Sequence, residues 1–309
     1  MLTLFTVPKP FAGLASIHQR NALRSWTLLS PAPNVILFGD EPGVGQAAES
    51  LGLTHHAHVE KSELGTPLLS SVFGSAHRET AGSQLLGYVN ADIILLQDFV
   101  RTLEIVSGWR SRFLLLGRRW DVDVPGELRF DARGAEELRS SVRSSGERRD
   151  GWWIDYFVFP RGLWSEIPSF AVGRPAWDNW MVFDAIRRGI PVVDGTESIT
   201  AIHQRHGHSH VPRARGDHWQ GPEGDRNRAL AGGQGAAYSI DDATHRVCGD
   251  RVRRRYSLQP VRRRWERWER ALGPAGGIAR AIRHLFRCLR PRSVPPPPRE
   301  STAPAEEQD

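Results

Sequence analysis

Short apolar runs rich in β-branched and aromatic residues alternate with stretches of helical period through the first half of this chain. That alternation restricts the fold more than any other feature, because strands separated by helices pair into a parallel sheet with crossover helices. The pattern predicts strands over Leu2–Val7, Asn34–Phe38, Thr54–Val59, Leu85–Val89 and Arg112–Leu116. Between them it predicts helices over Ile17–Leu29, Gln46–Leu51, Thr66 to about Gly82 and Asp98–Ser107, the third with Pro67 in its first turn. Residues Asp121 to Asp150 form a polar middle holding one helix, Ala135–Ser144. Beyond it come a strand at Trp152–Phe159 and a helix at Trp177–Arg188, with Trp180, Met181, Phe183 and Ile186 on its buried side. Strands at Ile190–Val193 and Ser198–Ile202 complete the pattern, and no internal repeat is visible. The expected fold class is α/β, a mixed, mainly parallel sheet flanked by helices.

A chain of 309 residues can bury one large core or two small ones. Its 39% hydrophobic and 25% charged content is that of a soluble globular protein. No apolar run reaches the roughly 20 residues needed to span a bilayer. The segment Met1 to Val7 lacks the basic flank and the length of a signal peptide. Two cysteines, Cys248 and Cys288, imply no disulfide framework, and a cytoplasmic location is expected. The net charge of +6 is unevenly spread: residues 246–309 hold 16 arginines against 7 acids, leaving 25 basic and 28 acidic side chains in residues 1–245. The body is therefore mildly acidic and lacks the basic stripe of a nucleic-acid groove. This shift divides the chain into a domain over 1–245 and a basic extension over 246–309. Within that extension, Arg251 to Arg290 interleaves arginine with Trp265, Trp268, Leu272 and Ile282. Such a stretch suits peripheral contact with an anionic membrane at its inner face. The other reading is a solvated, partly helical extension, since Gly273 to Gly277 interrupts any long amphipathic helix. Pro295–Pro298 and the polar residues after them cannot form a core and are expected to be disordered.

Chemistry-bearing residues concentrate in a few places. Asn90-Ala91-Asp92 follows the fourth predicted strand, at the sheet edge where open α/β sheets bind ligands. A carboxylate beside a carboxamide there suits a hard divalent cation carrying a diphosphate, and an ordinary turn has the same composition. Four of the twelve histidines fall in His203-Gln204-Arg205-His206-Gly207-His208-Ser209-His210, just after a predicted strand. Imidazoles there could meet a metal or a phosphate, or line a polar surface loop. No zinc-finger spacing or His-Glu-x-x-His helix is present, and one aspartate with a distant histidine fits an open Mn²⁺ or Mg²⁺ site better. Asp178 stands in the first turn of a predicted helix between Trp177 and Trp180, as a helix cap or as a base in a pocket. Asp155 is an acid within an apolar strand and needs a partner there. Asp40, after the second strand, is either a turn residue or a contact for a ribose or base.

With these motifs together, the chain resembles the GT-A nucleotide-diphospho-sugar transferase superfamily, and is most similar to a bacterial group of uncharacterised glycosyltransferase-like proteins. The resemblance covers roughly Thr3 to Thr244 and rests on Leu37-Phe38-Gly39-Asp40-Glu41, Tyr88-Val89-Asn90-Ala91-Asp92-Ile93, Asp155-Tyr156-Phe157-Val158-Phe159-Pro160, Trp177-Asp178-Asn179-Trp180, and Ile202-His203-Gln204 with His206. It implies a GT-A-like, Rossmann-type fold and transfer of a sugar from a nucleotide-diphosphate sugar to a hydroxyl, with inversion and divalent-metal assistance. Asp92 matches the last residue of the family's Asp-x-Asp element, whose first acid is replaced here by Asn90. By resemblance Asp92, His203 and His206 hold the metal. Asp40, Asn90, Asp92, Asp155 and Trp177 contact the donor, and Asp178 is the base. The acceptor is a glycan or a lipid-linked molecule. Two alternatives stand beside this reading: a catalytically inactive nucleotide-sugar-binding module and a sugar nucleotidyltransferase. The latter is disfavoured because Lys9 is the single basic residue after the first strand, with no glycine-rich loop.

Overall fold

The computed structural model describes residues 1–206, 221–232 and 237–256. His208, His210 and the Arg/Trp-rich stretch beyond Tyr256 lie outside the described residues.

The strands are β1 (Leu2–Thr6), β2 (Asn34–Phe38), β3 (Thr54–His56), β4 (Leu85–Val89), β5 (Ile93–Ile94), β6 (Leu114–Leu116), β7 (Arg119–Val122), β8 (Glu147–Arg148), β9 (Tyr156–Pro160), β10 (Val192–Asp194), β11 (Ala201–Gln204), β12 (His245–Cys248) and β13 (Arg251–Arg254). The helices are α1 (Gly13–Thr27), α2 (Val44–Leu51), α3 (Leu69–Glu79), α4 (Gln97–Trp109), α5 (Ala132–Ser145), α6 (Trp177–Arg187) and α7 (Pro222–Leu230). A nine-stranded sheet runs in the order β13-β12-β10-β6-β9-β4-β1-β2-β3, and a four-stranded sheet in the order β5-β11-β7-β8. The large sheet is mainly parallel. β9 runs against both β4 and β6, and β13 against β12.

Alternation along each strand feeds two apolar layers. Phe5, Tyr88, Phe157 and Phe159 point to one face, where α3 and α6 pack with Val72, Phe73, Met181 and Ala185. Leu4, Val89, Tyr156 and Val158 point to the other, against Trp26 of α1 and Phe99 and Leu103 of α4. A third cluster joins the small sheet to α5 through Ile94, Val122, Ile202, Leu138 and Val142. Each fully buried side chain of this size contributes about 1.5–3 kcal/mol, so the two main layers hold the sheet between its helices. Gly87 is demanded by that packing, since a Cβ there would stand 2.7 Å from Leu4 Cδ2. Among the described residues no helix is long and apolar enough to cross a membrane.

Several expected elements shift. The third helix begins at Leu69, so Pro67 precedes it and pairs instead with Lys61 in an isolated bridge. The strand expected at Trp152–Phe159 begins at Tyr156, which leaves Asp155 at its mouth. The strand expected at Ser198–Ile202 is Ala201–Gln204, so His203 lies inside a strand and not in the loop after it. The polar middle opens with β7, whose Arg119 and Asp121 are buried. In α6 the fully buried residues include Met181, Val182 and Ala185, whereas Trp180, Phe183 and Ile186 are half-buried. The sheet also runs past residue 245, because β12 pairs with β10 and β13 with β12, and the compact unit extends from Met1 to Ser257. Arginines 251, 253 and 254 are exposed along the edge strand, where charge discourages pairing with another chain.

Candidate active site

Three parallel neighbours, β4, β1 and β2, deliver their C-terminal ends to one edge of the large sheet. The turn Asn90-Ala91-Asp92 leaves β4, Lys9 follows β1 and Asp40 follows β2. The turn is tight, with Ile93 N donating to Asn90 O at 3.0 Å, and it passes directly into β5 of the small sheet. There β11 lies between β5 and β7, in a register that sets His203 opposite Ile93 on one side and Asp121 on the other. Cross-strand neighbours at this spacing meet side chain to side chain. Two sheets thereby bring together residues more than a hundred positions apart.

Asp92 is the centre of the arrangement. Its Oδ2 lies 3.2 Å from His206 Nε2, 3.9 Å from His203 Nε2 and 3.5 Å from Lys9 Nζ. Its Oδ1 is buried and has no hydrogen-bond partner among the described residues. Burial pushes this carboxyl up, but Lys9, His206 and His203 together hold it well below the usual carboxylate range. Asp92, His203 and His206 each offer one ligand atom within 4.8 Å of the others. His203 Nδ1 lies 3.2 Å from Asp121 Oδ1. This contact lacks the geometry of a hydrogen bond, and a neutral imidazole carrying its proton on Nδ1 would leave the Nε2 lone pair for a cation beside Asp92. An imidazole held by a carboxylate behind it is the usual support of a metal-binding histidine. An orphaned carboxylate oxygen beside two imidazoles is a mixed N/O donor set of the kind that Mn²⁺ and Mg²⁺ accept, with room left for phosphate oxygens and water.

Behind this centre runs a buried chain of charges. Asp121, 1% exposed, accepts from Arg119 Nε at 2.9 Å and from Arg149 Nε at 2.7 Å. Arg119 Nη1 also donates to Asp155 Oδ1 at 2.8 Å, and its guanidinium sits 4.9 Å from the Trp153 ring centre. Asp155 Oδ1 accepts from Asn90 Nδ2 at 2.8 Å, and Asn90 N donates to the Asp155 carbonyl. Among the described residues Asp155 Oδ2 is buried without a hydrogen-bond partner. This explains the carboxamide at position 90, since a carboxylate there would face Asp155 with like charge. His18 on α1 closes the other side: its Nε2 donates to Val124 O at 2.9 Å, and its ring lies 6.1 Å from that of His206. Gln204, fully buried, donates to His18 O at 2.7 Å and Asp92 O at 3.1 Å, tying α1, β11 and the Asp92 turn together.

Asp178 stands in the first turn of α6, ahead of which Ala176 adopts φ 82°. A buried non-glycine residue in the left-handed region is strained, and strain of this kind gathers where a backbone must aim a side chain. Burial raises the Asp178 carboxyl to about 7; the negative Asp155 adds to the rise and the amides of the first turn oppose it. That carboxyl is therefore balanced between acid and base near neutrality.

The residues singled out from sequence thus divide. Asp92, His203 and His206 come together; Asn90 and Asp155 bond to each other beside them; Asp178 feels the charge of Asp155. Asp40 is exposed and pairs with Lys61, whose ammonium hydrogen bond holds its carboxyl below the usual range. Trp177 is a core residue, 6% exposed, packed edge-on against Tyr88 at 5.1 Å and tilted against Phe157 at 5.3 Å, so its ring supports α6 and does not offer a stacking face to a donor. Sequence reasoning missed Arg119 and Asp121 and gave Lys9 no role at this site. The period-2 pattern of Arg119-Trp120-Asp121-Val122 was the available signal for the first two.

No family model matches the chain, and no curated protein matches it. Among solved structures it is similar to the S. aureus TarS fragment 1–349, with 12% identity and a TM-score of 0.32 over 41% of this chain and 38% of that one. It is also similar to the mannosyltransferase PcManGT from Pyrobaculum calidifontis, in complex with GDP-Man and Mn²⁺, with 12% identity and a TM-score of 0.41 over 67% of this chain and 57% of that one. Glucosyl-3-phosphoglycerate synthase from Mycobacterium tuberculosis shares 10% identity at a TM-score of 0.38, over 67% of this chain and 72% of that one. At these values they are distant likenesses, and the fold on view is a mainly parallel α/β sheet flanked by helices.

Proposed function

We propose that this protein is a GT-A-type glycosyltransferase that moves a sugar from a nucleotide-diphosphate sugar to a hydroxyl acceptor, with inversion and with the help of a divalent cation. The observation that carries the reading is the meeting of Asp92, His203 and His206 at the carboxyl edge of parallel strands, with Asp178 raised toward neutrality in the field of Asp155. Asp92, His203 and His206 would hold Mn²⁺ or Mg²⁺, which when bound would neutralise charge gathering on the leaving diphosphate. Asp40, at the end of β2 on the far side of β1 from β4, is assigned to the nucleoside end. Asn90 and Asp155 border the sugar. The ionised Asp178 takes the proton of the acceptor hydroxyl while that oxygen forms its bond to the anomeric carbon. The bond from that carbon to the diphosphate oxygen breaks on the opposite face, which inverts the centre. A glycan or lipid-linked acceptor and a cytoplasmic setting fit this reading.

A thermal-shift panel of UDP- and GDP-sugars, with and without Mn²⁺, tests donor binding. A shift that requires the cation is expected, as is slow donor hydrolysis. Asp178→Asn is expected to keep the shift and lose turnover by about 10²-fold or more. A panel without any shift sinks the reading, and a shift with no hydrolysis or transfer turns it into a binding module.

A further inference from the structure

Lys9 is a charged residue at this edge to which the proposed reaction gives no role. The strand order β4-β1-β2 places the loop after β1 between the loop carrying Asp92 and the loop carrying Asp40. The backbone of Lys9 is held there by Gln19, a side chain only 2% exposed: Lys9 N donates to its Oε1 at 2.7 Å, and its Nε2 donates to Lys9 O at 3.0 Å. A buried carboxamide spent on both backbone groups of one residue fixes where that residue's side chain starts. The side chain itself is 45% exposed, and its ammonium lies 3.5 Å from Asp92 Oδ2. That oxygen is also the one approached by His206 and His203.

One carboxylate oxygen thus faces two imidazoles and an ammonium. A divalent cation held by Asp92, His203 and His206 would compete with that ammonium for the same negative charge, and like charges at this separation repel. Lysine suits such an exchange, being a point charge on a flexible four-carbon stem with no fixed geometry to lose. We propose that Lys9 is an exchangeable counter-ion: it neutralises Asp92 when no cation is bound and, once a cation takes its place, turns to the diphosphate of the donor. The second half of this role rests on the nucleotide-sugar reading above; the first half does not. Its consequence is selectivity for a ligand with two phosphates, because the released ammonium adds a positive charge between the nucleoside end and the cation site.

Calorimetry on the full chain tests both halves, with Mn²⁺ alone and then with UDP, GDP, UMP and GMP at saturating Mn²⁺. Lys9→Met is expected to bind Mn²⁺ alone about tenfold more tightly than the unmodified chain, and the diphosphates about tenfold more weakly, with a smaller loss for the monophosphates. Lys9→Arg, which keeps the charge, is expected to stay near the unmodified values. Opposite movement of the two affinities is something a misfolded site cannot produce, because lost structure weakens both. Unchanged affinities in Lys9→Met, or a fall in both, overturn the proposal. Should the unmodified chain bind Mn²⁺ but no nucleotide, the donor reading fails. The Mn²⁺ arm then decides the counter-ion role alone: tighter binding in Lys9→Met supports it and unchanged binding overturns it.

Discussion

Asp178 shows how one residue's surroundings set both its chemistry and its cost. Its carboxyl is raised to about 7 first by burial and then by the nearby Asp155. An unfolded aspartate titrates near 3.9, so between those values the native state holds a proton that the unfolded state has released. Stability contributed by that proton is complete at low pH, falls as pH rises from about 4 to about 7, and is gone above. Asp178→Asn, which cannot ionise, is therefore expected to be more stable than the unmodified chain at pH 8, on the order of 1–2 kcal/mol after allowing for partial solvent screening. The difference should vanish near pH 4. Urea denaturation at the two pH values checks this; an equal difference at both would mean that Asp178 is not held neutral by its site. Asn90 makes the complementary point. Its carboxamide donates to Asp155, so the negative charge absent from position 90 is present one hydrogen bond away.

Between elements, the decisive contact is made by β7, which carries Arg119 and Asp121 on one face. Arg119 links Asp121 in the small sheet to Asp155 at the mouth of β9 in the large one. Both pairs are nearly dry, with side chains 2–8% exposed. Removing one member of a buried network leaves the others charged and unpaired, which costs about 3–5 kcal/mol. Arg119→Met is accordingly expected to lower the unfolding free energy by about that amount. It should also weaken Mn²⁺ binding, since Asp121 would lose a partner that fixes it behind His203. A denaturation midpoint equal to that of the unmodified chain would show that the network is dispensable. These charges also explain why β7 and β11 were hard to place from the sequence. Arg119, Asp121, His203 and Gln204 have the composition of loops, yet all are buried because each meets a partner distant in the sequence.

For the molecule as a whole, the extent of the sheet matters more than the change in composition. The arginines after residue 245 suggested a separate extension, but His245–Cys248 and Arg251–Arg254 form strands that close the sheet beyond β10. Arg255 reaches back, its Nη1 donating to Asp194 Oδ2 and to the Ile240 carbonyl, both at 3.1 Å. A chain ended at Ser257 is expected to unfold cooperatively, whereas one ended at 245 should melt several degrees lower or fail to fold. Equal melting temperatures for the two would place the boundary at 245 after all. Contact of residues 251–290 with anionic membranes remains a proposal, and the pairing of β13 already assigns the first of those arginines to a sheet edge.

The alternation of apolar strands and amphipathic helices was enough to determine the α/β class, and the bounds of β2 and β4 could be read directly, because short apolar runs such as residues 35–38 closed by turn residues suit a buried strand. The motifs singled out Asp92, His203, His206 and Asp178 as candidates. What only the tertiary structure decided is which of these meet, and through whom. Asp121, Arg119 and Lys9 enter the site by way of strand order and register, and pairing across sheets leaves no local trace in a one-dimensional pattern. Trp177 was lost to the core for the same reason: its sequence neighbours cannot reveal that Tyr88 and Phe157 already occupy its ring.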